Sequence, residues 1–299
     1  MLQILPRDLG GVFLIDKPAG ITSNDAIQIV KNKFKLDKIG HTGTLDPMAT
    51  GLLVCPAGAM TRLIRFLEGG SKTYSGKIKF GLVTDSDDIT GNKITESFEY
   101  PEFGKILEAL SNFIGEIDQI PPKVSAIKIN GERSYKLVRK GQDPVINSRK
   151  VKIDQFLIDR ISPDVIKFKV VCSRGTYIRS LARDLGAILG CGGCLKTIRR
   201  EETSGFSVES AKDLDSLAES DMIKATDLFA KWPQVQFEDS LARRINGGDQ
   251  EALKTSEVQT LVDKFSSNKF LIYSSKVCPT LPLGLLEKIE DTWKVGVNF

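Results

Sequence analysis

Apolar and polar positions alternate strictly from Tyr74 to Phe80, with Tyr74, Gly76, Ile78 and Phe80 on one face and Ser75, Lys77 and Lys79 on the other. A period of two over this length predicts a half-buried antiparallel strand. The same pattern returns at Ile166, Phe168, Val170 and Cys172. It then switches to helical spacing at Ile178, Leu181, Ala182 and Leu185, so a strand feeds directly into an amphipathic helix. Near the start, GVFLID (11–16) reads as a buried strand ending in a Lys-Pro-Ala-Gly turn at 17–20. Thr22 and Asp25 then form a capping box for a helix that buries Ala26, Ile27, Val30 and Phe34. Ile106, Leu107, Leu110, Phe113 and Ile114 predict a helix over 105–114 with Gly115 as its C-cap. Strands predominate without a regular strand–helix–strand repeat, which predicts an α+β fold on a mixed or antiparallel sheet. The pattern changes near 231. Residues 232–299 break into short apolar segments, as in a small β-rich module, leaving 1–231 as the main domain.

Composition alters this picture little. The chain has 299 residues, 41% hydrophobic and 27% charged, which predicts an ordinary globular protein with one large domain and a smaller one. Charge alters it more. Residues 121–200 hold 18 Lys+Arg against 6 Asp+Glu, an excess of +12 in a chain of net charge +4, so the remainder sums to −8. One strongly basic segment suits a polyanion on one face, and equally a solvated surface that neutralises an acidic neighbour such as 201–230. No apolar run approaches the ~20 residues that cross a bilayer. The opening MLQILPRDLGGVFLIDK lacks the layout of a secretory signal. Five cysteines, an odd count spread from Cys55 to Cys278, argue against a disulfide framework, and a reducing cytoplasm is the expected compartment.

The segment richest in unusual chemistry is Gly40-His-Thr-Gly-Thr-Leu-Asp-Pro-Met-Ala-Thr-Gly51. It carries the chain's only histidine, and Pro47 restricts Asp46 to extended geometry between apolar neighbours. A carboxylate so held suits a nucleophile or general base. The ordinary alternative is a tight glycine turn with a capping aspartate. The loop has no Gly-Lys-Ser/Thr and no G-x-G-x-x-G, so it is neither phosphate-loop type. Cys172-Ser-Arg-Gly-Thr-Tyr-Ile-Arg179 spans the strand-to-helix junction, with Thr176 placed to cap the helix. Arg179 falls in the first turn, where the helix dipole disfavours a cation, which points to an anionic partner, carboxylate or phosphate. Tyr74, on pattern alone, is a core residue. Cys191-Gly-Gly-Cys194 lacks the second pair of a structural zinc site and reads as two free thiols. The run Asp85-Ser-Asp87-Asp88 puts Thr90 where an EF-hand needs glycine, so it reads as a polar hairpin or loop.

These segments, taken together and in order, resemble the tRNA pseudouridine-55 synthase family of the TruB type. GVFLIDKPAGITS (11–23) is similar to the family's first motif and GHTGTLDPMATGLL (40–53) to its catalytic motif. KTY (72–74), QIPPKVSAIKINGERSYKLVRKG (119–141) and CSRGTYIRSLARDLG (172–186) follow at the family's spacing. The correspondence runs from about Gly11 to Phe206 and more weakly to the C-terminus. Two departures stand out: Gly193-Cys194-Leu195 replaces the usual Ala-His-Leu, and Val124 replaces the aromatic after Pro-Pro-Lys.

The resemblance implies an isomerase that flips a uridine out of the T-arm stem-loop of tRNA, with no cofactor, no metal, no membrane and no obligate protein partner, acting as a monomer. It places Asp46 on the catalytic aspartate, Tyr74 on the tyrosine that packs against the target base, and Arg179 on the arginine that pairs with the aspartate. Tyr177 and Ile198 line the same pocket by resemblance, and Lys17 of the first motif joins the substrate-binding residues. His41 matches the histidine that fills space left in the T-loop when nucleotides swing out. Residues 121–152 resemble a mobile, basic insertion that closes over RNA, and 232–299 a diverged PUA-like RNA-binding module. An RNA-folding chaperone with a decayed site and a phosphate-loop enzyme built on 40–51 are the competing readings. The joint presence of Asp46, Tyr74 and Arg179 disfavours the first, and the missing lysine and metal ligands disfavour the second.

Overall fold

The computed structural model describes residues 9–129, 131–265 and 270–299, with the side chains of 278–281 outside the description. Part of the opening segment (1–8), Asn130 of the basic insertion and the Cys278 side chain therefore lie outside the described residues.

One mixed sheet organises the first 230 residues. Its strands begin with β1 (Gly11–Lys17), β2 (Thr50–Pro56) and β3 (Lys72–Phe80). After β3 the chain makes a separate hairpin from β4 (Leu82–Thr84) and β5 (Lys93–Glu96), then returns as β6 (Gly115–Gln119). A second small hairpin, β7 (Lys128–Ile129) with β8 (Glu132–Arg133), sits within the basic segment. The sheet resumes with β9 (Arg149–Ser162), β10 (Val165–Cys172), β11 (Gly193–Thr203), β12 (Phe206–Ser207) and β13 (Ile223–Lys224). The order is β13-β1-β2-β11-β3-β10-β9-β6, with β12 paired to β11. Of the pairings in this sheet only β2–β11 is parallel, which makes it mixed, one of the two forms predicted from the lack of a strand–helix–strand repeat. That contact brings Gly51 so close to β11 that a Cβ would sit 2.3 Å from the Arg200 carbonyl oxygen. With φ at +101°, the position requires glycine on both counts.

Helices cover the sheet. α1 (Ser23–Lys33) begins in the predicted capping box, with Thr22 and Asp25 each accepting from the other's backbone N–H. The one-turn α2 (Ile64–Leu67) follows β2. α3 (Phe103–Leu110) is shorter than its periodicity predicts. Ser111 Oγ donates to the Glu108 carbonyl and Asn112 Nδ2 to the Ala109 carbonyl, so side chains compete for the acceptors that would continue the helix. A 3-10 turn buries Phe113, and Gly115, at φ +91°, opens β6 in place of capping a helix. α4 (Ser134–Arg139) lies in the basic segment, and α5 (Ile178–Ile188) follows β10 as its spacing predicts.

α3 and α5 bury their apolar faces against β3, β9, β10 and β11 in the largest core, which includes Ile78, Phe80, Phe168, Leu181 and Leu185. Leu45 and Ala49 of the loop over 40–51 belong to the same core, together with Tyr74 and Ile198. Burying a leucine side chain is worth about 2 kcal/mol, so the loop is anchored by packing on both sides of Asp46.

Beyond α6 (Ala225–Phe229) a four-stranded sheet forms from β14 (Gln234–Phe237), β15 (Phe270–Ser275), β16 (Cys278–Ile289) and β17 (Thr292–Asn298). This region is β-rich but not purely β. Helices α7 (Asp239–Asn246) and α8 (Ser256–Val262) bury Leu241, Ala242, Ile245, Val258 and Val262 against the sheet. Each helix is only two turns long, too short for its period to stand out in the sequence. Ile272, Leu285 and Val297 of this sheet pack against Leu52 and Val54 of the first and against Met60 in the 3-10 turn after β2. An Arg65–Glu287 ion pair at 2.9 Å adds a polar link at the seam. No described helix is long and apolar enough to cross a membrane.

Candidate active site

The loop carrying Asp46 has little regular structure, so backbone and side-chain contacts from its neighbours fix its shape. Gly40 and Thr42 donate backbone N–H groups to the Pro56 and Val54 carbonyls of β2. Next to Asp46, the Ser23 hydroxyl both accepts from Leu45 N–H (2.8 Å) and donates to Leu45 C=O (3.1 Å). Ala49 N–H closes a turn on the Asp46 carbonyl at 3.0 Å, and Gly20 N–H holds the Pro47 carbonyl at 2.8 Å. Lys17, 0% exposed, lies beneath this turn with its ammonium donating to the carbonyls of Pro18 (2.7 Å), Ile21 (2.8 Å) and Pro47 (3.4 Å). Burial lowers its pKa to about 8 even though Asp46 opposes the fall. The structure thus puts Lys17 under the loop and not in the cavity wall.

Asp46 faces a cavity of about 260 Å³ walled by Leu45, Tyr74, Ile178, Ile198, Tyr177 and Arg179. Its carboxyl side chain is 40% exposed, whereas its partner Arg179 is 5% exposed. Arg179 Nη2 donates to Asp46 Oδ1 at 3.2 Å, and Nε stands 2.9 Å from Oδ2 without the alignment of a hydrogen bond. The predicted anionic partner of this first-turn arginine is therefore a carboxylate. Thr176 does not cap α5: its hydroxyl turns back to the Ser173 carbonyl, and Tyr177 occupies the cap with no side-chain bond. Gln119 takes over part of that task, accepting from Tyr177 N–H at 2.8 Å and donating to its carbonyl at 3.0 Å. The Tyr177 ring carries the Arg149 guanidinium 4.5 Å from its centre, a cation–π contact at the cavity rim.

Arg179 is itself held from behind. Its Nη1 donates to the Ser86 carbonyl at 2.8 Å and lies 3.6 Å from Asp88 Oδ2. Asp88 is fixed in turn by Thr90, whose N–H donates to Oδ1 at 2.9 Å and hydroxyl at 2.5 Å. Next to it Asp87 accepts from Arg183 Nη1 at 2.8 Å, yet burial still pushes its carboxyl pKa up. The acidic run is a hairpin loop as predicted but not a solvated one: Asp87 and Asp88 are 9% and 4% exposed and brace the arginine. Sequence reasoning passed over both because a run of acidic residues beside glycine ordinarily faces water.

Tyr74, 8% exposed, presents itself to the cavity from β3, and burial raises its phenol pKa although Arg200 opposes that rise. Arg200, 1% exposed, donates Nε to the Leu52 carbonyl at 2.8 Å and Nη2 to the Gly43 carbonyl at 3.0 Å. It ties the parallel strand pair to the loop, a task the sequence did not disclose. His41 does not line the cavity. It is half-buried, accepts from Gly43 N–H through Nδ1 at 3.3 Å, and burial lowers its pKa. Ser125 and Ala126 of the basic segment form part of the cavity wall, whereas Arg149, Lys150 and Lys152, expected in the insertion, belong to β9. Cys191 and Cys194 are free thiols, and burial pushes Cys194 up to about 11, the reverse of a reactive thiolate. Among the described residues no group of three or more His, Cys, Asp or Glu is arranged to hold a metal ion.

The geometry is an aspartate–arginine pair at a cavity walled in part by Tyr74 and Tyr177, on a mixed sheet with a smaller β-rich unit at its end. The model of the TruB family pseudouridylate synthase N-terminal domain matches residues 31–178. The tRNA pseudouridine synthase B of Clostridium tetani is 36% identical over 297 residues, covering 96% of this chain and 98% of that protein. Its counterpart from Roseobacter denitrificans is 41% identical over 212 residues, 71% of this chain and 70% of that one. Among solved structures, a Cbf5-Nop10-Gar1 complex contains a chain of TM-score 0.67 and 22% identity, with 96% and 83% of the two chains covered. An H/ACA RNP bound to a substrate RNA containing 2′-deoxyuridine gives TM-score 0.64 at 19% identity, covering 97% and 84%. At that identity these structures bear on the fold alone. The chain belongs to the TruB family of pseudouridylate synthases, and is an isomerase of that class.

Proposed function

We propose that the protein converts uridine 55 in the T-loop of tRNA to pseudouridine, with Asp46 as its catalytic carboxylate. The observation that carries this reading is the half-exposed Asp46 side chain facing a cavity walled by Tyr74 and Ile198 and clamped from one side by Arg179. A uracil buried in a folded loop must leave its stack before an enzyme can reach it, and an aromatic wall offers the flipped base a surface to replace that stack. Asp46 then attacks as nucleophile, or acts as base, while the N1–C1′ bond breaks. The uracil turns, C5 joins C1′, the C5 proton departs and N1 takes one up. Substrate and product are isomers, so the balance calls for no oxidant, reductant or phosphoryl donor.

tRNA as partner is supported by the name borne by the relatives above and by the excess of positive charge between residues 121 and 200. In this reading the chain acts as a cytoplasmic monomer, residues 121–152 close over the RNA, Tyr177 and Ile198 hold the base, His41 contacts the T-loop, and 232–299 is a PUA-like positioning module. Incubating the protein with a T-arm stem-loop labelled at its uridines, without added cofactor, should give pseudouridine at position 55. Conversion at another uridine would overturn the site assignment, and no conversion at all would overturn the reading.

A further inference from the structure

Asp46 has its arginine, but two cations near it make no ion pair among the described residues. Lys72, at the start of β3, has no hydrogen-bond or ion-pair partner for its ammonium among the described residues, and Arg200 Nη1 is buried without one. They converge beneath Gly43, where an added Cβ would lie 3.1 Å from Lys72 Nζ and 3.5 Å from Arg200 Nη1. With φ at +149° and no side chain, Gly43 leaves the approach to the ammonium uncovered. Lys72 also borders a cleft of about 380 Å³ that Arg149, Lys150 and Arg174 line as well, against a single carboxylate, Glu68. This cleft adjoins the base cavity, since Lys72, Arg149 and Gly175 line both. Lys72 is half-buried, and drawing an ammonium partly out of water with no ion-pair partner beside a buried guanidinium is unfavourable, so an anionic ligand reaching it from the cleft is the natural source of the missing charge. Burial, with Arg200 as the second cause, lowers the Lys72 pKa to about 8, which records the same deficit.

We propose that this cleft seats one backbone phosphate of the RNA next to the nucleotide whose base enters the cavity, with Lys72 as its direct ligand and Arg149 and Arg174 at its flanks. A flipped nucleotide carries its only negative charge on the phosphates adjoining its sugar, and the cleft meets the base cavity where such a group would emerge. Arg200 stays behind the loop and adds field without contact. The inference rests on the proposed function, because it takes a nucleotide to occupy the cavity.

The test uses T-arm stem-loops in which each phosphate around the target nucleotide is replaced in turn by an uncharged methylphosphonate. Binding is measured to the Asp46→Asn protein, whose turnover should be all but abolished, with and without Lys72→Met. One position should weaken binding to the parent about ten-fold, as expected for loss of a charge-assisted contact. Lys72→Met should weaken the unmodified RNA similarly, add nothing at that one position, and remain additive at all others. Lys72→Arg should restore the dependence on that phosphate. Additivity at every position, or unchanged affinity in Lys72→Met, overturns the proposal. Conversion of unmodified RNA by the wild-type protein is scored separately: conversion without coupling sinks the phosphate seat alone. Coupling without conversion upholds the seat and sinks the proposed reaction.

Discussion

The two sides of the cavity are built on opposite terms. On the Asp46 side every charge is answered within the protein: Asp46 by Arg179, Arg179 by the Ser86 carbonyl and Asp88, Asp88 by Thr90, Asp87 by Arg183. On the Lys72 side positive charge accumulates on Lys72, Arg149, Arg174 and Arg200 with only Glu68 nearby. A closed network keeps its geometry with no ligand present, because no member gains by moving. An open cluster stores unfavourable charge that a bound anion relieves. On the proposed reading, reaction geometry and substrate binding are separated in space, and substitutions on the two sides should fail differently.

The largest effect belongs to Asp46. Asp46→Asn keeps the shape and removes the charge, so turnover of the stem-loop should fall by at least about 10³-fold while affinity stays within a few-fold. Joint loss of binding and turnover would mean that Asp46 chiefly holds its loop together. Arg179→Lys should cost about 10²-fold in kcat, since an ammonium cannot reach Asp46, the Ser86 carbonyl and Asp88 at once.

A step smaller is Asp88, which touches no substrate and acts through Arg179. Asp88→Asn retains an acceptor for Thr90 but weakens the hold on the guanidinium, so kcat should drop roughly ten-fold with KM unmoved. A change confined to KM or to melting temperature would show that Asp88 serves the hairpin and not the site.

How far the sequence disclosed this arrangement follows from the range of the interactions. Strands β3 and β10 and helices α1 and α5 were legible because their periods are written in adjacent residues, and the capping box of α1 lies within four. The Asp46 loop was legible because its glycines, its proline and its resemblance to a catalytic motif coincide. Asp88, Arg200 and Gln119 were not, because each acts across 58 to 157 residues of sequence separation or through a hairpin that reads as ordinary solvent-facing polarity. The helices of the C-terminal region escaped notice for a different reason, being too short to complete a pattern. Thr176 shows that a correct residue type in a plausible cap position still loses when a nearer carbonyl, that of Ser173, is available.

The two depressed lysines extend the contrast from catalysis to stability. Lys17 gives its ammonium to three carbonyls, and Gly20 N–H still serves that of Pro47, so Lys17→Met should leave the Pro18 and Ile21 carbonyls without this donor and destabilise the fold by about 1–3 kcal/mol. Chemical denaturation monitored across the main sheet reads this directly. A variant as stable as the parent would mean that water replaces the ammonium.

Lys72 should behave in the opposite sense, with the smallest effect of the series. Its pKa stands near 8 in the folded protein against 10.5 for an ordinary lysine. Below pH 8 both states carry the charge and the folded state bears the full cost of burying it. Between about pH 8 and 10.5 the unfolded state holds the proton that the folded state has released, so the wild-type protein gains stability as pH rises. Lys72→Met removes the cost outright. Its melting temperature at pH 7 should exceed the wild type's by roughly 1–3 °C, and the gap should narrow steadily as pH climbs toward 10. Because the same substitution is expected to weaken RNA binding, a positive result would mean that stability is given up for affinity at this one position. A gap that stays constant with pH would trace the gain to packing and remove the charge argument. A lower melting temperature for Lys72→Met at pH 7 would show that Lys72, like Lys17, is satisfied inside the protein, and the asymmetry between the two sides of the cavity would not hold.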